Sequence, residues 1–95
     1  WTGVKENIAM RKAQELEIYP NPANEIVNIL IPKENESENH ILVVYDLYGR
    51  IIDESNLPSG TSTIQINVSK WASGLYAAVS SYKGSISGKG KFIVY

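Results

Sequence analysis

The stretch Tyr19-Pro20-Asn21-Pro22 decides how the chain folds near its start. It lies between residues 15–19 and residues 25–31, two runs whose side chains favour β-strands. Proline fixes φ and has no N–H to give to a sheet ladder, so two prolines flanking one asparagine cannot lie inside a central strand. Each proline also pushes the residue before it out of the helical region. The stretch therefore predicts a rigid, extended corner that turns the chain between two strands.

Short apolar runs continue beyond this corner. Residues 63–68 alternate, so Ile64, Ile66 and Val68 should share one inward face. Residues 40–46 are almost wholly apolar, which is typical of a strand covered on both faces. About seven such runs, separated by turn signals roughly every 8–12 residues, indicate an all-β fold, an Ig-like antiparallel β-sandwich.

Glycines mark the turns and one weak point. Gly49 is expected at positive φ in a turn, and Gly74 closes a second compact turn. Gly88 and Gly90 interrupt the last strand, residues 88–94, and predict a bulge or a loosely held edge there.

The 95 residues are predicted to form one domain with a short leading segment. Residues 1–14 are interpreted as a linker or the end of a preceding domain, and the helical spacing of Val4 and Ile8 would allow a short helix. Residues 15–95 are assigned to the sandwich. Because the chain opens at Trp1 and not at Met, we interpret it as a fragment of a longer protein.

Composition argues against several classes of protein. The absence of cysteine excludes disulfides and thiolate metal sites. Every acidic residue lies at or before Glu54, and the four lysines beyond it are too sparse for the basic surface of a nucleic-acid-binding protein. No apolar run approaches the length of a membrane span, so no membrane insertion is expected.

No arrangement of side chains predicts catalysis or a bound cofactor. His40, the single histidine, is interpreted as a solvated residue at the edge of an acidic loop, so no zinc site is expected. Glu34, Glu36 and Glu38 alternate in that loop, where a weak calcium site is one interpretation and a solvated run of charge is the favoured one. No serine lies in a nucleophile elbow, and we predict that the chain is not an enzyme.

Aromatic side chains allow one alternative function. An exposed row of aromatic rings on a sandwich could bind sugars by stacking, as in a carbohydrate-binding accessory module of a secreted enzyme. The favoured interpretation is that Tyr45, Trp71 and Tyr76 fill the core or its corners, because the strand alternation places no three aromatics on one exposed face.

Five segments, taken in order, resemble the type A C-terminal sorting domain of the type IX secretion system over about residues 16–95. They are Ile18-Tyr19-Pro20-Asn21-Pro22, Val27-Asn28-Ile29, Val44-Tyr45-Asp46-Leu47-Tyr48-Gly49-Arg50, Ile66-Asn67-Val68-Ser69-Lys70-Trp71-Ala72-Ser73-Gly74-Leu75-Tyr76 and Gly90-Lys91-Phe92-Ile93-Val94. The chain departs from the family pattern at Trp71, where a leucine is usual, and at Tyr95, where a basic residue often stands.

The resemblance implies that the domain is a secretion signal and that it has no catalytic activity of its own. Such domains follow a cargo domain that is exported to the periplasm, and the type IX translocon recognises the folded domain and moves the cargo across the outer membrane. A sortase-like signal peptidase then removes the domain, and the cargo is secreted or attached to the cell surface. In this chain the cleavage would fall within residues 1–17.

We hypothesise that the translocon reads the last strand and the turns. If residues 88–94 lie at a sheet edge, they could present backbone groups for strand addition, with two lysines adding electrostatic guidance. An open edge strand would also allow two copies to pair as a homodimer. The residues proposed for translocon recognition are Pro20, Asn21, Pro22, Asp46, Gly49, Gly74, Lys89, Lys91, Phe92 and Val94.

Overall fold

In a computed structural model, residues 14–32 and 38–95 are described, and they form two β-sheets packed face to face. This confirms the predicted β-sandwich. The strands are β1 (Gln14–Glu15), β2 (Glu17–Tyr19), β3 (Ile26–Leu30), β4 (His40–Tyr45), β5 (Ile51–Leu57), β6 (Thr63–Asn67), β7 (Gly74–Tyr82) and β8 (Ser85–Val94). One sheet has the order β1-β8-β7-β4-β5 and the other the order β2-β3-β6. Within the described ranges, no helix is long and apolar enough to cross a membrane.

The core lies between the two sheets and follows the alternation of the strands. Val27 and Ile29 of β3 are fully buried and face Leu42 and Val44 of β4 across the sandwich, with Phe92 of β8 beside them. The complete set of buried apolar residues is Leu16, Ala23, Val27, Ile29, Ile31, Leu42, Val44, Leu57, Ile66, Val68, Tyr76, Ala78, Phe92 and Val94. The inward face predicted for residues 63–68 is confirmed at Ile66 and Val68, which are buried, while Ile64 packs against the cluster half-buried.

The sequence pattern predicted one strand over residues 15–19, but the structure divides these residues between β1 and β2. The chain changes sheets at Leu16, because β1 pairs with β8 in parallel and β2 pairs with β3 antiparallel. Leu16 itself is buried in the core. The linker or helix was predicted for residues 1–14. Residues 1–13 lie outside the described residues, and Gln14 belongs to the sheet, where it pairs with Gly88.

The interpretation of His40 as a solvated loop residue is wrong. His40 begins β4 with its ring buried, its centroid 5.2 Å from that of Tyr82 on β7. Its Nδ1–H donates to the carbonyl oxygen of Glu38 at 3.0 Å. The loop's other acidic residues, Glu34 and Glu36, lie outside the described ranges, and among the described residues no group of three or more His, Cys, Asp or Glu side chains is placed to hold a metal ion.

The prediction that residues 40–46 are covered on both faces is also wrong. His40, Leu42 and Val44 point into the core, whereas Ile41 and Tyr45 lie on the opposite face, where no second layer of described residues covers them. An unbroken apolar run fits both arrangements, since a partly exposed sheet face can also be apolar.

Gly88 and Gly90 lie on β8 where Leu16, the residue after β1, packs closely against it. The register between β7 and β8 shifts near Ser80, which confirms a bulge next to Gly88. The strand is not a loosely held edge, however, because β1 covers it. A Cβ at Gly88 would lie 2.8 Å from Cδ2 of Leu16, and a Cβ at Gly90 would lie 2.9 Å from the Leu16 carbonyl oxygen.

Gly90→Ala should therefore destabilise the domain. Because the added methyl group would meet a backbone oxygen that cannot rotate away, we expect a loss of about 1–3 kcal/mol in the free energy of unfolding. Urea denaturation followed by tryptophan fluorescence measures it. Ser85→Ala, at an exposed position of the same strand, is the control and should change stability little. Equal stabilities of the two variants would show that the crossing is not tightly packed.

Candidate recognition surface

The topology brings four of the five sequence motifs to one end of the sandwich. At this end β4 finishes at Tyr45, β7 begins at Gly74 and β8 finishes at Val94, which pairs with Gly74. The proline corner joins them, because Ala23 forms a parallel bridge with Val94. The turn of residues 46–50 follows directly on Tyr45. The residues proposed for recognition therefore lie at or near this end, except for Lys89, which pairs with Val79 near the middle of the sheet.

Asn21, between the two prolines, takes the place of a neighbouring strand beside β8. Its Oδ1 accepts a hydrogen bond from the Ile93 N–H at 2.9 Å, and its Nδ2–H donates to the Lys91 carbonyl at 3.3 Å. Both Tyr19-Pro20 and Asn21-Pro22 peptide bonds are cis. As predicted, these residues lie at a corner between two strands, β2 and β3, and Asn21 also supplies side-chain hydrogen bonds to the last strand.

Two backbone contacts extend this line of hydrogen bonds along β8. The Ala23 N–H donates to the Ile93 carbonyl at 2.8 Å, and the Tyr95 N–H donates to the Ala23 carbonyl at 3.0 Å. Further down the strand, the Leu16 N–H donates to the Lys89 carbonyl at 2.9 Å. We call these contacts of Leu16, Asn21 and Ala23 the β8 seal. Residues 88–94 are therefore not at a sheet edge, and that hypothesis is wrong.

The turn between β4 and β5 is built around the Asp46 carboxylate. Oδ1 accepts hydrogen bonds from the N–H groups of Tyr48 and Arg50, both at 2.9 Å, and Oδ2 accepts from Nε of Arg50 at 2.7 Å. Gly49 has φ of 82°, as predicted, and its N–H donates to the Asp46 carbonyl at 3.0 Å. The turn is thereby fixed while Leu47 and Tyr48 remain 67% and 79% exposed.

These interactions determine the titration of Asp46. Partial burial alone would raise the pKa of the carboxyl group, but the hydrogen bonds from Arg50 and Tyr48 and the charge of Arg50 outweigh it and lower the pKa below the ordinary value of 3.8. The side chain of Asp46 is only 11% exposed, so solvent competes little for these bonds.

The remaining proposed residues divide into exposed and buried groups. Lys89 and Lys91 are exposed on the outward face of β8, whereas Phe92 and Val94 are buried and contribute through packing. The sequence indicated neither the role of Leu16 nor the exposure of Leu47 and Tyr48. For the latter, the Asp46–Gly49 spacing was the available signal, because the two central residues of such a turn project outward.

Two of the aromatic residues considered for sugar binding, Trp71 and Tyr76, pack against the core and against each other. Tyr76 is buried and its ring centroid lies 5.7 Å from that of Phe92, while Trp71, half-buried, lies 5.0 Å from Tyr76. The Tyr76 hydroxyl donates to the Ala72 carbonyl at 2.6 Å. Tyr76 and Trp71 thus fill the core and its corner, as predicted. The same prediction is wrong for Tyr45, which is half-buried on the outward face of the sheet because it alternates with the buried Val44.

The fold and this surface define a small β-sandwich module with a sealed last strand and an exposed, rigid turn. The family model of the secretion system C-terminal sorting domain matches residues 17–95, and the chain belongs to this family. No curated protein matches it by sequence. Membership makes the domain a type IX secretion signal, attached to an upstream cargo and engaged by the type IX machinery for export across the outer membrane.

Asn21→Ala should weaken the β8 seal. Each of the two lost hydrogen bonds is worth about 0.5–1.5 kcal/mol, so we expect the unfolding free energy to fall by about 1–3 kcal/mol. Faster hydrogen exchange at the Ile93 amide should accompany the loss. Asn24→Ala, which changes an exposed neighbour, is the matched control. Unchanged exchange at Ile93 would contradict the seal.

Asp46→Asn should alter the dependence of stability on pH. Because the pKa of Asp46 is lower in the folded state, its contribution is present above pH 3.8 and is lost as the pH falls from there through the folded pKa. The native chain should therefore lose more stability than Asp46→Asn between about pH 6 and pH 3. Thermal unfolding across that range measures the difference, and parallel pH profiles would count against the turn geometry.

Proposed function

We propose that the domain is a non-catalytic signal that the translocon recognises in its folded form through the turn of residues 46–50. The observation that carries this proposal is the exposure of Leu47 and Tyr48 on a turn held by four short hydrogen bonds to Asp46. Tyrosine is enriched among the residues that dominate binding energy at interfaces, and a fixed turn loses little conformational entropy when it binds.

The arrangement of β8 supports recognition of side chains in preference to strand addition. A strand added beside residues 88–94 would have to displace β1, the Asn21 amide and Ala23. An exposed turn requires no such rearrangement. Lys89 and Lys91 remain proposed for electrostatic guidance, since charged side chains outside the buried core of an interface mainly affect the rate of encounter.

The other proposed residues act through the shape of this end of the domain. Pro20, Asn21 and Pro22 hold the corner against β8, and Gly49 allows the left-handed backbone of the turn. Gly74 begins β7 and pairs with Val94. Among the residues proposed for recognition, Val94 and Phe92 are buried and contribute through packing.

Proteolytic removal of the domain is proposed at the N-terminal side of Gln14. Gln14 and Glu15 are paired with β8, and Leu16 is buried, so a peptidase would have to unfold β1 to bind the chain there as an extended segment. A sortase-like peptidase would then cut within residues 1–13, a narrower range than residues 1–17. We propose arrival in the periplasm before this step and surface attachment or secretion of the cargo after it.

A fusion of a reporter protein upstream of the domain tests the proposal in a bacterium with type IX secretion. The double variant Leu47→Ser/Tyr48→Ser should reduce exported reporter by roughly tenfold or more, which corresponds to a loss of about 1.4 kcal/mol in binding. Ile86→Ser is the matched control, because Ile86 is also exposed but lies at the other end of β8.

Circular dichroism and thermal unfolding of the purified domains verify that both variants fold. Export of the double variant at the native level, with the fold intact, would show that the turn is not the recognised surface.

A further inference from the structure

One face of the five-stranded sheet packs against the three-stranded sheet. The other face, which points outward, also carries mainly apolar side chains. Alternate residues of β4, β7 and β8 point into the core, so their neighbours line this outer face. Half-buried Val43, Tyr45, Ala77 and Val79 form its centre. Four larger side chains on this face are between 39% and 59% exposed, namely Ile41, Ile51, Leu75 and Ile93. A contiguous face of this kind marks an interaction surface.

Charges of opposite sign stand at the two ends of its central row. Strand register places Glu54 beside Val43, Val43 beside Val79, and Val79 beside Lys89. The row therefore runs from an acidic residue on β5, through two valines, to a basic residue on β8. Both charged residues are exposed.

This row of one copy is complementary to the same row of a second copy. The two copies would be related by a two-fold axis that is parallel to the strands and lies over the gap between β4 and β7. The rotation exchanges β4 with β7 and β5 with β8, so Glu54 of one copy would face Lys89 of the other, and Val43 would face Val79. Such an interface is isologous and contains every contact twice.

The flanking rows fit the same axis by size. In the next row Tyr45 lies beside Ala77, so the rotation puts a large side chain of one copy over a small one of the other. In the row on the opposite side, Ile41 lies beside Ser81 and would likewise face it across the interface. Two sheets with nearly aligned strands pack in this manner in sandwiches.

We infer that this face is an interface between two copies of the chain. Four strands about 4.8 Å apart and five residues at about 3.4 Å each give a patch of roughly 19 by 17 Å, which is small for a stable interface. The dimer is therefore expected to form reversibly at micromolar to submillimolar concentrations. The turn of residues 46–50 lies beyond the last row, so the inference does not depend on its proposed role in recognition.

Sedimentation velocity of the full 95-residue chain over a range of concentrations tests the inference. Glu54→Lys and Lys89→Glu should each raise the dimer dissociation constant about fivefold or more, because each places like charges opposite one another. The double reversal should return it to within about twofold of the native value. Glu25→Lys, an exposed change on the segment before β3, is the control and should leave the constant unchanged.

A second variant separates this interface from pairing of open strand edges. Val79→Lys puts a charge at the centre of the face and should abolish the dimer, whereas a dimer formed through the edge of β5 would persist. If Val79→Lys does not fold, as judged by circular dichroism, the charge reversals decide the question. A chain that stays monomeric up to about 0.5 mM, a dimer that survives a folded Val79→Lys, or a double reversal that restores nothing overturns the inference.

Discussion

The hydrogen-bonded β8 seal is the constraint on which the rest of the structure depends. The last strand of a sandwich has two edges, and here β7 occupies one along its whole length. The other edge is occupied by Leu16, the Asn21 amide and Ala23, all from the first ten described residues. The contacts span 70 or more positions in sequence, so they tie the start of the domain to its end. Without them β8 would expose a row of unpaired backbone groups, which invites aggregation.

The seal determines which parts of the surface remain for binding. Since the backbone of β8 is already bonded, we propose that recognition uses side chains, and the exposed side chains of Leu47 and Tyr48 lie on the turn held by Asp46. The same sheet presents a separate apolar face to solvent. A signal domain of this size can thus offer the turn to one partner and the outward face to another, because the turn lies at the end of the sheet and the face lies on its side.

Local sequence patterns predicted the fold class, the corner at Pro20 and Pro22 and the positive φ of Gly49, because each follows from conformational preferences within a few residues. They did not predict the burial of His40 or the change of sheet at Leu16. His40 lies against Tyr82 of the neighbouring strand, a residue 42 positions later, and no local pattern reports such a contact. The candidate surface was anticipated in part from the sequence: Asp46 and Asn21 were named, but their hydrogen-bond partners and the exposure of Tyr48 were not.

The sequence by itself determined most of the strands, the turns and the corner, and its ordered motifs identified the sorting-domain family. Only the tertiary structure decided which edge of which strand is covered. Side-chain alternation specifies the faces of a strand but carries no information about its neighbours. Gly88 and Gly90 illustrate the difference. In the sequence they indicated a weak edge, whereas in the fold the absence of a Cβ lets Leu16 approach and close that edge.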